Sequence, residues 1–222
     1  MTKIKNVFER ILPKYSYLPL AAMLALNCIA YFGTRTFTTN MHHYSMYTVI
    51  DSMIPFCPAF ISVYLLAYIQ WIIGYGLIAK ENRYVFEWIV KGEIIAKSMA
   101  FLCFIIIPTT ISRPEITGTD LWSGLTNYIY STDAPDNLFP SVHCLESWVC
   151  FRGAMYLKKP GKYYKYFCLI FTLLVFASTV LVKQHVILDM IGAVIFVETG
   201  LFISKKLCNS NKKLFQRRTT HA

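Results

Sequence analysis

The sequence predicts an all-α integral membrane protein, a six-helix bundle with both termini in the cytoplasm. Three observations support this prediction. The 222 residues are 55% hydrophobic and only 15% charged, which excludes a disordered or fibrous chain. Apolar stretches recur at about the 20-residue length that crosses a hydrocarbon core of about 30 Å. The basic residues gather between alternate pairs of these stretches, as the positive-inside rule requires.

Six stretches are long and apolar enough to be spans. They are predicted at about 16–34, 55–79, 93–111, 140–157, 166–183 and 186–205. The fourth is the weakest by hydropathy because Glu146 and Arg152 lie inside it. No internal repeat, low-complexity tract or long linker divides the chain, so residues 1–222 are predicted to form one transmembrane domain.

Lysine and arginine positions orient the predicted spans. With the N-terminus in the cytoplasm, all but three of the 22 basic residues fall on the cytoplasmic side. The exceptions are Arg35, Arg113 and Lys183. Topology therefore accounts for the net charge of +10, and no nucleic-acid partner is expected. We expect a multi-pass protein of the plasma membrane. Without a CxxC pair or a His/Cys metal spacing, neither a metal nor another cofactor is expected.

This topology brings polar residues from separate segments to the outer face of the membrane. The third span ends there, the fourth begins there, and the fifth and sixth meet there. The candidate site residues so collected are Arg113, Ser141, Val142, His143, Lys183, His185 and Asp189. Ionisable residues at membrane depth are functional by default, which favours a site over a purely structural role.

The start of the fourth span predicts an anion-binding site. Pro140 is expected in the first helical turn, where its missing amide hydrogen costs nothing. The free amides beside Ser141 and Val142, together with the helix dipole, attract negative charge. Arg113 can hold a phosphate through two parallel hydrogen bonds.

The histidines supply the reactive groups of a phosphoryl-transfer site. His185 and Asp189 are spaced i and i+4, so they share one helix face and the carboxylate can orient the imidazole. His143 can give a proton to a leaving oxygen. Nucleophile, orienting carboxylate, general acid and anion site are then all present.

These residues resemble the type 2 phosphatidic acid phosphatase superfamily of membrane lipid phosphatases and vanadium haloperoxidases. Its signature is Lys-x6-Arg-Pro, Pro-Ser-Gly-His and Ser-Arg-x5-His-x3-Asp. The matching stretches are Arg113-Pro114, Pro140-Ser141-Val142-His143, and Ser178-Thr179-x5-His185-x3-Asp189. The resemblance implies a phosphohistidine on His185 with Asp189 behind it, protonation of the leaving group by His143, and phosphate binding by Arg113, Ser141 and the Val142 amide. It implies no metal.

Three positions depart from that signature. Ile106 stands at the Lys position, Thr179 at the Arg position and Val142 at the Gly position. Lys183 is the candidate substitute for a missing cation, or else it snorkels to lipid headgroups. The departures leave room for the related lipid phosphotransferases, such as the sphingomyelin synthase-like group.

Two further membrane charges have structural interpretations. Glu146, three residues after His143, either tunes that histidine or bonds between helices. Arg152 and Glu198 lie at equal depth on their helices and are predicted to form a buried ion pair.

A lipid phosphate already in the bilayer is the expected substrate, since no soluble domain exists to capture a polar one. The main hypothesis is a lipid-phosphate phosphatase that acts through a phosphohistidine at the extracytoplasmic face. The alternative is a phosphotransferase that passes a phospho group to a lipid hydroxyl. A non-catalytic transporter is the third hypothesis, and it predicts polar residues along a path through several spans.

Overall fold

The computed structural model describes the backbone of residues 12–219 and the side chains of residues 12–209. Its helices are α1 (Lys14–Thr38, with a π-helical turn at Ile29–Gly33), α2 (Val49–Met53), α3 (Ile61–Glu81), α4 (Arg83–Ile106), α5 (Leu121–Thr132), α6 (Val142–Ala154), α7 (Lys162–Leu181) and α8 (Ile187–Thr219). A 3-10 turn at Pro58–Phe60 leads into α3. Two short strands, β1 (Tyr44–Ser45) and β2 (Thr109–Thr110), pair in parallel.

Within the described residues, four helices are long and apolar enough to cross a membrane: Lys14–Thr38, Pro58–Glu81, Lys162–Leu181 and Ile187–Asn209. The prediction of a mostly helical membrane protein is thus confirmed at this coarser level. Helix α4 has the length, 24 residues, but carries several charges. Helix α6 has only 13 residues, about 20 Å of rise.

Helix α4 begins ten residues before the predicted third span. Asn82 caps it by accepting hydrogen bonds from the amides of Tyr84 and Val85. Its added turns are charged, but the charges pair at i and i+4: Glu87 contacts Arg83 at 2.7 Å and Lys91 at 3.7 Å. Hydropathy registers only the polarity of such a stretch, whereas the pairing stabilises the helix.

The bundle helices alternate in direction. Helices α1, α4 and α7 end where α3, α6 and α8 begin, at what we call the histidine end because it contains His143 and His185. There the amide of Ser141 donates to the carbonyl of Asp189 at 3.2 Å, which joins the first residues of α6 and α8. At the opposite end, the Tyr15 hydroxyl donates to the carbonyl of Ala79, which joins the start of α1 to the end of α3.

Helices α4 and α8 approach each other closely at two glycines. A Cβ at Gly200 would lie 2.1 Å from the carbonyl oxygen of Gly92, and a Cβ at Gly92 would lie 2.9 Å from the Leu201 Cα. Two glycines facing each other let the backbones touch, the usual small-residue device of membrane helices. Buried apolar residues such as Phe86 and Leu145 complete this core.

The predicted Arg152–Glu198 ion pair is confirmed as a contact. The Arg152 guanidinium binds the Glu198 carboxylate, which also accepts from Trp148 Nε1 at 2.8 Å. The prediction of burial is wrong, because the two side chains are 26% and 38% exposed. The pair lies on the outside of the bundle, between α6 and α8.

Candidate active site

His185 and Asp189 form the centre of the candidate site. His185 Nδ1 lies 3.0 Å from Asp189 Oδ2, and the same oxygen accepts from the amide of Val186 at 3.1 Å. Both residues are buried, Asp189 completely. The carboxylate can only accept, so it holds the His185 proton on Nδ1 and leaves a lone pair on Nε2. The predicted contact between His185 and Asp189 is therefore present.

A tight turn between α7 and α8 presents His185. The carbonyl of Thr179 accepts from the amides of Gln184 and His185, at 3.0 and 3.1 Å. Lys183 has a left-handed backbone with φ 52°, uncommon for a residue with a side chain. Thr179, at the position where the resembled family has arginine, is fully buried and holds this turn through its backbone.

Helix α6 begins at Val142, two residues after the predicted start, with Ser141 as its N-cap. The prediction that Pro140 lies in the first helical turn is therefore wrong, since Pro140 precedes the cap. The Ser141 hydroxyl accepts from the amide of Cys144 at 3.4 Å, and its own amide is bonded to Asp189. None of the hydrogen bonds among the described residues uses the amides of Val142 and His143. The Ser141 amide is therefore not free as predicted, and the free amides at the start of α6 are those of Val142 and His143.

An aromatic wall from α3 surrounds His143. Its ring stacks on Tyr64 at a centroid distance of 3.8 Å, and the rings of Tyr68 and Trp71 lie 5.4 and 5.0 Å away. Trp71 is itself fixed, since its Nε1 donates to Ser147 Oγ at 2.9 Å. His143 Nε2 is buried and has no partner among the described residues. Its imidazole is held by ring contacts and can still exchange a proton with a ligand.

One cavity of about 380 Å³ joins the two histidines. Its polar lining, apart from tyrosines and Trp71, comprises Asn27, Thr132, Asp133, Asp136, Asn137, His143, Gln184 and His185. Val142 also lines it, so the start of α6 faces the same space. Among the described residues, no lysine or arginine lines this cavity.

Arg113 lies behind the cavity wall. One guanidinium nitrogen donates to the carbonyl of Asp133 at 2.6 Å, and another donates to Gln184 Oε1. The guanidinium also lies over the Tyr130 ring, 4.5 Å from its centroid. Burial lowers the pKa of Arg113 from its usual value, with the charge of Asp133 acting in the other direction; arginine nevertheless keeps its charge. Arg113 reaches the histidine cavity through Gln184.

Lys183 is engaged with the segment around α2. Its ammonium group donates to the carbonyls of Asp51 and Ile54, at 3.0 and 2.6 Å. With Arg113 it lines a second depression of about 490 Å³, outside the histidine cavity. Two of its three hydrogens are thus used by the protein. Through these two hydrogen bonds Lys183 connects the α7–α8 turn to the α2 segment, a structural role that the sequence did not indicate.

Several residues that the sequence did not indicate as part of the site position the candidate site residues. Asp51 Oδ1 accepts from the amide of Ile187 at 2.9 Å, which caps α8 from a distant segment. Thr48 and Asp51 form a capping box, a spacing that is visible in the sequence. Gln184 and Tyr64 have no comparable local signal, because their roles depend on contacts with Arg113 and His143.

Glu146 belongs to a buried ionic group. Lys97 Nζ lies 2.6 Å from both Glu93 Oε1 and Glu146 Oε1. Glu146 also accepts from Asn27 Nδ2 at 3.0 Å and from the Tyr75 hydroxyl. Its contacts connect α1, α3, α4 and α6, so the interhelical alternative for Glu146 describes it better than tuning of His143.

No group of three or more His, Cys, Asp or Glu side chains within the described residues could hold a metal ion.

Comparison with known proteins adds no family assignment. A scan of protein-family models finds no match to this chain, and searches of curated proteins and of solved structures find none either.

Proposed function

We propose that the protein is a membrane lipid-phosphate phosphatase that acts through a phosphohistidine. The observation that supports this most is the His185–Asp189 pair, which opens on one cavity together with His143 and the N-terminus of α6. A carboxylate-oriented imidazole, a second imidazole and free helix amides are the parts that phosphoryl transfer needs. The sequence resemblance leads to the same reaction.

The first step forms one bond and breaks one. The Nε2 lone pair of His185 attacks phosphorus while the bond from phosphorus to the lipid oxygen breaks. That oxygen takes a proton from His143, and the lipid alcohol leaves. Asp189 stabilises the positive charge that develops on the His185 ring.

The second step releases phosphate. His143, now neutral, takes a proton from water as the water oxygen attacks the phosphohistidine. The nitrogen–phosphorus bond breaks, inorganic phosphate leaves, and both histidines return to their starting states. The amides of Val142 and His143 offer hydrogen bonds to phosphate oxygens in both steps.

The proposal includes a topology: six spans formed by α1, α3, α4, α6, α7 and α8, both termini cytoplasmic, and the histidine end outside the plasma membrane. The distribution of described basic residues supports it. Arg35, Arg113 and Lys183 lie at the histidine end, whereas Lys14, Lys80, Arg83, Lys158, Lys159, Lys162 and Lys165 lie at the opposite end. Lys3, Lys5 and Arg10 lie outside the described residues, as do the side chains of Lys212, Lys213, Arg217 and Arg218.

Labelling of single cysteines in intact cells tests this orientation. In a cysteine-free background, an impermeant maleimide should label Tyr128→Cys but not Lys159→Cys.

A second cavity favours lipid phosphotransfer as the other candidate function. It has about 380 Å³, lies between α1 and α3, and is lined by apolar residues such as Leu20 and Leu24. Asn27, Tyr68 and Trp71 line both this cavity and the histidine cavity. A lipid alcohol seated there would lie beside the phosphohistidine in place of water.

One experiment tests both functions. Purified protein is given phosphatidate or a polyprenyl diphosphate, with and without diacylglycerol or ceramide as acceptor, beside His185→Ala and the exposed control His42→Ala. Phosphate release that is lost only in His185→Ala supports the phosphatase. A new phospholipid that forms only with acceptor supports transfer. Equal turnover by wild type and His185→Ala, or none by either, rejects both.

A further inference from the structure

Gln184 is the least expected polar residue of the histidine cavity. It precedes His185 in the α7–α8 turn, is only 1% exposed, and lines the cavity with both histidines. Its side-chain oxygen accepts a hydrogen bond from Arg113, 71 residues away in the chain. Because the Gln184 side chain is buried, both its amide oxygen and its amide nitrogen need hydrogen-bond partners.

The contact with Arg113 determines which way the amide points. A guanidinium only donates, so the atom that faces it must be the amide oxygen. The amide nitrogen then lies on the other side of the group, where it is buried without a partner. Leaving such a donor unpaired costs roughly 1–3 kcal/mol, so it calls for an explanation.

Other unpartnered atoms occur around the same space. Asn137 Oδ1 and His143 Nε2 are also buried without partners, and both residues line the cavity. Buried polar atoms are nearly always satisfied, so several orphans around one cavity indicate a polar ligand. Because no lysine or arginine among the described residues lines the cavity, neutral donors must meet much of the charge of a phosphate.

We propose that Gln184 is a catalytic residue whose amide N–H donates to a non-bridging phosphate oxygen during transfer at His185. Arg113 is its positioning residue: it holds the amide oxygen and turns the donor toward the substrate. This inference rests on the proposed function. Ile106 and Thr179 stand where the resembled signature has Lys and Arg. Gln184 would take over phosphate binding from these two absent cations, as a neutral donor that Arg113 polarises from behind.

Three variants isolate the donor. Gln184→Leu removes the amide, Gln184→Glu keeps an acceptor for Arg113 but loses the donor, and Gln70→Leu is the matched control. Gln70 is another buried glutamine, whose Nε2 donates to Thr172 at 3.0 Å between α3 and α7. We expect kcat to fall about 100-fold to 1,000-fold in both Gln184 variants, with little change in KM, since the donor acts mainly on the transition state. Gln70→Leu should retain wild-type kcat.

The role of Arg113 is tested by a double-variant cycle. If Arg113 acts through Gln184, then Arg113→Met combined with Gln184→Leu loses no more activity than Gln184→Leu alone. If Arg113 touches phosphate directly, the two losses multiply. Multiplied losses would overturn the positioning role.

Binding of orthovanadate, which takes the five-coordinate geometry of the transition state of phosphoryl transfer, separates this inference from the proposed function. We expect vanadate to bind wild-type protein and Gln70→Leu alike, and at least about 10-fold more weakly to both Gln184 variants, the loss of one buried hydrogen bond. Unchanged vanadate affinity or unchanged kcat in Gln184→Leu overturns the role of Gln184. Absence of His185-dependent turnover in wild type rejects the proposed function instead, and the vanadate comparison then decides only whether Gln184 binds a phosphate-like oxyanion. Melting curves in detergent identify any variant whose fold is lost; in that case Gln184→Glu provides the comparison.

Discussion

Asp189 Oδ2 accepts two hydrogen bonds at once, from His185 Nδ1 at 3.0 Å and from the amide of Val186 at 3.1 Å. The carboxylate therefore has a fixed position relative to the backbone of the turn that carries the imidazole. A histidine held in this way has one tautomer and one ring orientation. In the proposed function, this contact orients the nucleophile before any substrate binds.

Replacing Asp189 by Asn should remove that control. The amide can donate to Nδ1, which moves the proton to Nε2 and blocks attack, so we expect kcat to fall about 100-fold to 10,000-fold. Single-turnover trapping of the phosphohistidine measures the attack itself. Glu87→Gln, at an exposed carboxylate of α4 paired with Arg83, is the control and should behave as wild type. Rapid phosphohistidine formation in Asp189→Asn would contradict the assigned tautomer.

His143→Gln should have an effect that depends on the leaving group. A poor leaving group such as a lipid alkoxide needs a proton, whereas p-nitrophenolate leaves without one. We therefore expect His143→Gln to lose about 100-fold or more on a lipid phosphate and much less on p-nitrophenyl phosphate. Tyr64→Phe keeps the ring that stacks on His143 and serves as the control. Equal losses on both substrates would exclude His143 as the general acid.

The apolar stretches predicted a mostly helical membrane protein, and within the described residues four helices are long and apolar enough to span a membrane, because membrane burial depends mainly on composition over about 20 residues. Composition is less informative where charges pair: the first turns of α4 lie outside the predicted third span, although Glu87 pairs there with both Arg83 and Lys91. Prolines and capping residues, such as Asn82 and Ser141, set boundaries that hydropathy does not register.

The site residues were predictable where their relation is local in sequence. The His185–Asp189 spacing places both on one turn, and the structure has that contact. The contact between Arg113 and Gln184 spans 71 residues, and nothing in either local sequence indicates it. The same applies to the hydrogen bonds from Lys183 to the carbonyls of Asp51 and Ile54, which depend on where the α2 segment folds.

Gly200→Ala should separate helices α4 and α8. The added Cβ would lie 2.1 Å from the carbonyl oxygen of Gly92, and backbone cannot move aside as a side chain can. We expect a loss of about 1–3 kcal/mol of stability, measured as a lower melting temperature in detergent. Gly124→Ala in α5, where a Cβ meets nothing within 4 Å, is the control and should melt with wild type. If Gly200→Ala and Gly124→Ala melt at the same temperature, then α4 and α8 do not make the close contact at Gly92 and Gly200 described above.

Asp51 should stabilise the histidine end only while it is charged. Burial alone raises the pKa of Asp51, but hydrogen bonds from Thr48 and from the amide of Ile187 bring it below its usual value. A lowered folded-state pKa adds stability above the unfolded pKa of about 4, and that stability is lost as the pH falls through the folded-state value. Asp51→Asn should therefore be less stable than wild type at pH 7 by about 0.5–2 kcal/mol, measured as a lower melting temperature in detergent. The difference in melting temperature between the two proteins should shrink as the pH falls. A gap that persists at pH 2–3 would contradict this account.

The ionic group around Lys97 gives the sharpest test of the core. Lys97 Nζ lies 2.6 Å from both Glu93 and Glu146, so Lys97→Met leaves two buried carboxylates with no cation between them. We expect Lys97→Met to cost about 3–5 kcal/mol, because a broken buried pair strands its partner. Adding Glu93→Gln and Glu146→Gln removes the stranded charges and should restore much of the melting temperature. Lys91→Met, which breaks only the exposed contact with Glu87, should change stability by less than about 1 kcal/mol. If the triple variant melts no higher than Lys97→Met, then packing of the lysine stem rather than charge balance determines stability at this point of the bundle.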